Sequence, residues 1–128
     1  MAKKEHWQTD PDPHDFPAAG DFLSLTLRRA DVIAVVRRLK AATNTQRMAK
    51  DLLRASRLPL LPIDDHEVLR DLKKVRKGEL LSPVLLVRGN MVGDQPLTIA
   101  DGYHRICSSY HLDEDATIPC RLVDGPLA

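Results

Sequence analysis

The chain has 128 residues, of which 43% are apolar and only 4% aromatic, and its formal net charge at pH 7 is +1. This length suits one domain with a core of Leu, Val, Ile and Ala, and it excludes a multidomain enzyme. The sequence has no apolar run of the roughly 18 residues that a transmembrane helix needs, and no hydrophobic stretch typical of a secretory signal. Its two cysteines, Cys107 and Cys120, are too few for a disulfide framework and lack zinc-site spacing, so we expect a cytoplasmic protein.

The first part of the chain predicts a tail and then a basic helical extension. Residues 1–20 hold three prolines among charged residues, which is typical of a mobile tail. Residues 21–56 form the extension, with helices predicted over 30–42 and 46–56 from the spacing of their apolar residues. A break at Thr43-Asn44-Thr45 separates these helices and could mimic the turn of a helix-turn-helix motif.

The remainder, residues 57–128, predicts a second unit with a small sheet. The stretch 58–62 is flanked by prolines and indicates an edge strand or a bend. Helices are predicted over 66–77 and 103–111, and strands over 84–87, 97–100 and 118–123. This order indicates an α+β fold, in which a small mixed β-sheet packs against helices and follows the helical N-terminal extension.

Positive charge is concentrated in one segment, because residues 28–57 carry nine basic and two acidic side chains. The field near a protein surface depends on local rather than total charge, so this segment could bind phosphate groups or DNA. The alternative is that these side chains only solvate the outer faces of helices.

The stretch with the clearest chemistry is LTIADGYHRICSSY, residues 97–110. It predicts a buried strand, a sharp turn at Asp101-Gly102 and a helix that starts at once. The first turn of a helix offers unpaired N–H groups and a positive dipole end, and Gly102 allows a ligand to approach closely. His104 and Arg105 would add donors there, so the junction predicts a phosphate site. The alternative is a structural turn in which Asp101 only caps the helix.

Four segments in order resemble the ParB/sulfiredoxin superfamily, over residues of about 57–123. They are RLPLLPIDDHEVLRDLKKVRKG, LLSPVLLVRG, LTIADGYHRICSSYHL and ATIPCRLV. The resemblance implies a domain that binds a nucleotide such as ATP or CTP, accompanied by Mg²⁺, with phosphates at the turn before the signature helix. The residues that it places at the ligand are Gly102, Tyr103, His104, Arg105, Glu67, Arg70 and Lys74.

The sequence also departs from this family. Tyr103 stands where sulfiredoxin has its nucleophilic cysteine, so reduction of a sulfinic acid through a covalent thiol intermediate is not expected. Asp101 could orient His104, hold a metal-bound nucleotide or deprotonate a hydroxyl acceptor, which makes Asp101 and His104 the candidate catalytic residues for slow phosphohydrolysis or phosphotransfer. The alternative function is a non-enzymatic DNA-binding or adaptor protein that uses residues 28–57.

Overall fold

The computed structural model describes residues 6–126, which form five α-helices and four β-strands. The helices are α1 (Asp15–Leu23), α2 (Arg29–Ala41), α3 (Ala49–Ser56), α4 (His66–Arg76) and α5 (Tyr103–Leu112). The strands are β1 (Thr45–Met48), β2 (Val84–Arg88), β3 (Thr98–Asp101) and β4 (Thr117–Asp124). The predicted α+β fold with a small mixed sheet is confirmed. Within residues 6–126, no helix has the length and apolarity needed to cross a bilayer.

The four strands form one sheet in the order β1-β4-β2-β3. β4 and β2 lie parallel in the centre, with Leu86 opposite Leu122, while β1 and β3 pair antiparallel at the edges. β2 is buried along Val84–Val87, in keeping with a central strand that is covered on both faces. This burial explains why the strand is an unbroken apolar run.

Helices cover both faces of the sheet, and each face has its own core. On one face α3, α4 and α5 pack against alternate residues of β2 and β3, among them Val84, Leu86 and Ile99. On the other face α1 and α2 pack against Leu85, Val87 and Ala100. The alternation of side chains along a strand therefore divides β2 evenly between the two cores.

The N-terminal segment is part of the fold, so the prediction of a tail is wrong for residues 6–20. Its backbone pairs with the loop before β2, where Gln8 N–H donates to Leu81 O over 2.7 Å. Helix α1 then buries Phe16 and Ala19 against the sheet. The three prolines suggested an irregular segment. They are compatible with α1 because they precede it or lie in its first turn, where a missing N–H breaks no helical hydrogen bond. Residues 1–5 of the predicted tail lie outside the described part of the chain.

The segment between the two basic helices is an edge strand, β1, and not a helix-turn-helix turn. Thr45 lies opposite Cys120 of β4, so helix α3 begins at Ala49 instead of residue 46. The predicted domain boundary at residue 57 therefore separates β1 from β4, the strand with which it pairs. Gln46 and Arg47 are exposed, and their polarity gave no strand signal.

Residues 58–62 were expected to form an edge strand or a bend, and within residues 6–126 they pair with no strand. Helix α5 holds this segment through side chains: the Tyr103 hydroxyl donates to Pro59 O, and His111 Nε2 lies 2.7 Å from Leu61 O. The prolines at 59 and 62 lack the N–H groups that a strand would need.

The packing of α1 predicts a large cost for removing its buried ring. Phe16→Ala should lower the free energy of unfolding by about 3 kcal/mol, because Phe16 fills the core beneath α1. Phe22→Ala is the matched control, since Phe22 is 46% exposed on the same helix, and it should change stability by less than about 1 kcal/mol. Urea unfolding measures both, and equal effects would show that α1 is not docked.

Candidate functional site

The turn between β3 and α5 is built around Gly102. Gly102 is the N-cap of α5 with φ of +113°, and no side chain caps the helix. A Cβ at this position would lie 2.8 Å from Val84 Cβ and closer still to Val84 Cγ1. The glycine is therefore required by the backbone conformation and by the close approach of β2. The helix N-terminus keeps its positive end without a capping side chain.

The Arg105 side chain turns inward to a cluster of carboxylates. Its Nη2 donates to Asp101 Oδ2 over 3.0 Å and to Pro83 O over 3.4 Å, and lies 3.8 Å from Asp15 Oδ2. The Ser82 hydroxyl donates to the same Asp15 oxygen over 2.5 Å. The guanidinium thus joins α5 to β3, α1 and the loop before β2. The structure does not leave Arg105 extended toward solvent, as a simple phosphate clamp would require.

Asp101 holds Arg105, and the interpretation of Asp101 as a helix cap is wrong. The N-cap is Gly102, and the Asp101 carboxylate accepts the guanidinium one turn further along the chain. Burial raises the pKa of Asp101, Arg105 opposes this rise, and the nearby Asp15 carboxylate adds to it. Among residues 6–126, Asp101 has no hydrogen bond to His104, so the expected orientation of that imidazole by Asp101 is absent. Asp101 is an ion-pair partner that burial makes easier to protonate.

Asp71 is a charged residue of this region that the sequence did not single out. It is a buried carboxyl on α4, and within residues 6–126 its side chain has no hydrogen-bond partner. Burial raises its pKa and the Glu67 charge adds to this rise, while Arg105, Lys74 and His104 act in the opposite direction. The sequence did contain a signal for this residue: Asp71 lies on the inward face of the helix with Val68 and Leu72, at a position where an apolar residue is expected.

The other predicted site residues lie on α4 and α5, the helices that carry Asp71 and Arg105. His104 is exposed in the first turn of α5, and its ring lies 5.7 Å from that of Tyr103. On α4, Lys74 is half-buried one turn after Asp71 and on the same face. Arg70 is exposed and makes an ion pair of 3.6 Å with Glu67. The structure therefore brings Lys74 and His104 near Asp71, whereas Arg70 lies at the outer edge with its own acidic partner.

Neither cysteine has the properties of a nucleophile. Cys107 and Cys120 are both fully buried and form no disulfide. Burial raises the pKa of the Cys107 thiol, and it raises that of Cys120 to about 11. A reactive cysteine needs a lowered pKa and access to solvent, and these thiols have neither.

A second polar group lies beside the Arg105 cluster. One ligand atom from each of Asp12, His14 and Asp15 lies within 4.8 Å of the others. Asp15 is already engaged by Ser82 and by the backbone N–H of Asp12. Acidic groups of this kind often occur without an ion, and their role in the structure is to fix the start of α1.

Comparison with known proteins leaves the resemblance as a prediction. No family model, no curated protein and no solved structure matches this chain. The likeness to the ParB/sulfiredoxin superfamily therefore rests on the sequence motifs alone.

The geometry of Gly102 predicts a larger effect of substitution there than at a second glycine with positive φ. Gly102→Ala should destabilise the protein by about 3 kcal/mol, because conformational strain adds to the overlap with Val84. Gly78→Ala is the control, since φ is +81° there but a Cβ would meet nothing within 4 Å, and it should cost about 1 kcal/mol. Thermal unfolding compares them, and equal losses would contradict the close approach of β2.

The buried Asp71 carboxyl predicts a specific dependence of stability on pH. Because burial raises its pKa in the folded state, the folded protein binds this proton more tightly than the unfolded chain does. The contribution of Asp71 to stability is therefore greatest at low pH and is lost as the pH rises through the raised value. Asp71→Asn should be more stable than the parent at pH 7, and this gain should shrink toward pH 4.

Urea denaturation midpoints between pH 4 and pH 8 test this expectation. The exposed Asp64 offers a control, because Asp64→Asn also removes one negative charge near α4 but leaves the buried Asp71 carboxyl unchanged. A gain for Asp71→Asn that is constant across the pH range would contradict the argument.

Proposed function

We propose that the protein binds a phosphate-bearing ligand, of the nucleotide class, at the junction of β3 and α5. The observation that carries the proposal is the uncapped N-terminus of α5 at Gly102, with exposed His104 in its first turn. Unpaired N–H groups and the positive end of a helix suit a phosphate group. Lys74 of α4 interacts electrostatically with the same Asp71 carboxyl as His104 does, and it would add a positive charge near this turn.

Arg105 has an indirect role in this proposal. Its Nη2 is held by Asp101, so it would orient the turn and partly neutralise the surrounding carboxylates. Its Nε is buried, and within residues 6–126 it has no hydrogen-bond partner. A buried donor of this kind usually has a water or ligand oxygen as its partner. Arg105→Ala would disturb the fold as well as the ligand, and it is a poor test of binding.

A triphosphate would bring Mg²⁺, and the residues present suit that ion. Mg²⁺ bound to a nucleotide needs only one or two protein carboxylates, and its remaining ligands are waters and phosphate oxygens. Asp71 could serve as one such carboxylate, because within residues 6–126 it has no hydrogen-bond partner and its electrostatic interaction with Lys74 and His104 shows that it lies close to both. Asp101 is less suited, because Arg105 occupies one of its oxygens.

Phosphohydrolysis or phosphotransfer would need a base near the phosphate. His104 is exposed at the helix N-terminus and can accept a proton from water or a hydroxyl. Asp101 would act through Arg105, so Asp101→Asn should keep an acceptor for that guanidinium. We therefore place His104 ahead of Asp101 as the candidate base.

Binding of Mg²⁺ with ATP, CTP or their diphosphates tests the proposal by isothermal titration. Lys74→Ala should weaken binding about tenfold, because it removes one charge from the phosphate site. Lys73→Ala is the matched control: Lys73 is exposed and points about 100° away on the same helix, so its loss should leave the affinity unchanged.

The alternative function, DNA binding through residues 28–57, predicts different results. No heat with any nucleotide, from folded protein with Mg²⁺ present, would overturn the proposal. Binding of duplex DNA that falls steeply with salt would then favour the exposed basic residues of 28–57. That surface would act without a helix-turn-helix, since β1 joins its two helices.

A further inference from the structure

A cavity of about 470 Å³ lies at the other end of the sheet, between α3 and the hairpin that joins β2 to β3. Val84, at the start of β2, contacts Gly102 of the β3–α5 turn, whereas Arg88, at the end of β2, lines this cavity. Arg88 is four residues further along the strand than Val84, a distance of about 13 Å. The cavity is therefore separate from the phosphate site proposed above.

The floor of the cavity is apolar. Its accessible surface comes from two partly buried leucines, Leu97 and Leu122, and the core residues Leu52 and Leu86 lie directly behind them. A backbone hydrogen bond of 2.9 Å from Leu97 N–H to Ala55 O ties the start of β3 to α3. The two walls are thus joined, and the cavity exists without any movement of the chain.

The rim of the cavity is strongly positive. Four arginines line it, Arg47, Arg54, Arg57 and Arg88, against a single acidic residue, Asp51. Arg57 pairs with Asp94 at 2.6 Å and Arg88 with Asp124 at 2.8 Å. Arg47 and Arg54 have no ion pair within 4.0 Å among residues 6–126.

The existing ion pairs do not close the site to an anion. Asp94 and Asp124 are 85% and 74% exposed, and ion pairs of such exposure contribute little stability. An incoming anion can therefore exchange with these carboxylates at small cost. Guanidinium groups suit carboxylate and phosphate equally, because both accept two parallel N–H bonds.

We propose that this cavity binds a small amphiphilic anion, an apolar chain or ring that carries one carboxylate or phosphate group. The leucine floor would take the apolar body, and Arg47 and Arg54 would hold the anionic head at the rim. The volume lies within the range of small-molecule sites. A DNA backbone would make no use of four leucines, and none of the lining residues is aromatic, so stacking of bases is not offered.

Nuclear magnetic resonance of the ¹⁵N-labelled full chain provides the test, with octyl phosphate and octanoate as probes below their micelle concentrations. Both should shift the amide signals of residues 47–57 and 86–97. Octanol and inorganic phosphate each supply half of the chemistry, and each should bind at least about tenfold more weakly. The two charged probes also show whether the head group is better as phosphate or carboxylate.

Charge-removing variants locate the anion. Arg47→Gln combined with Arg54→Gln should weaken octyl phosphate binding about tenfold or more. The matched control, Arg37→Gln with Arg38→Gln, removes two exposed arginines of α2 that do not line the cavity, and should leave the affinity within about twofold.

Three outcomes would overturn the proposal. Equal losses in the two double variants would indicate attraction to general positive charge. Inorganic phosphate binding as tightly as octyl phosphate would remove any role for the leucine floor. Amide shifts centred on residues 102–105 would place the probe at the β3–α5 turn instead.

Discussion

The Arg105 guanidinium and its carboxylate partners determine how one end of this molecule is built. Asp101 comes from the end of β3, Asp15 from the start of α1, and the Pro83 carbonyl from the loop before β2. These groups are largely buried, so their mutual attraction is only weakly screened by water. Without Arg105, two carboxylates would remain beneath α5, and the loss of one partner from a buried ion pair is strongly destabilising.

This arrangement gives the proposed phosphate site an inner and an outer layer. The inner layer, Arg105 with Asp101, sets the angle at which α5 leaves the sheet. The outer layer consists of the helix N-terminus, the exposed His104 and the half-buried Lys74. Asp71 interacts electrostatically with Arg105 of the inner layer and with Lys74 and His104 of the outer layer, and its pKa is raised, so the charge of the site depends on pH and on any cation that comes with the ligand.

The two proposed sites use the two ends of the same strand. β2 passes through the centre of the sheet, is covered on both faces and is rigid for that reason. Val84, the first residue of β2, lies against Gly102 of the β3–α5 turn. Arg88, the last residue, lines the cavity together with Arg54 of α3 and Arg47 of β1. Ligands bind at such strand ends because side chains and loops there are held by a fixed scaffold.

The sequence alone determined the elements that depend on residues close together along the chain. Asp65 caps α4 by accepting from the N–H groups of Glu67 and Val68, and the apolar run of β2 and the turn at Gly102 were predicted from neighbouring residues. Only the tertiary structure decided that α1 docks on the sheet, that exposed β1 pairs with β4, and that Arg105 points inward. These features depend on partners far away along the chain, such as Asp15 for Arg105, and no local spacing or propensity records such partners.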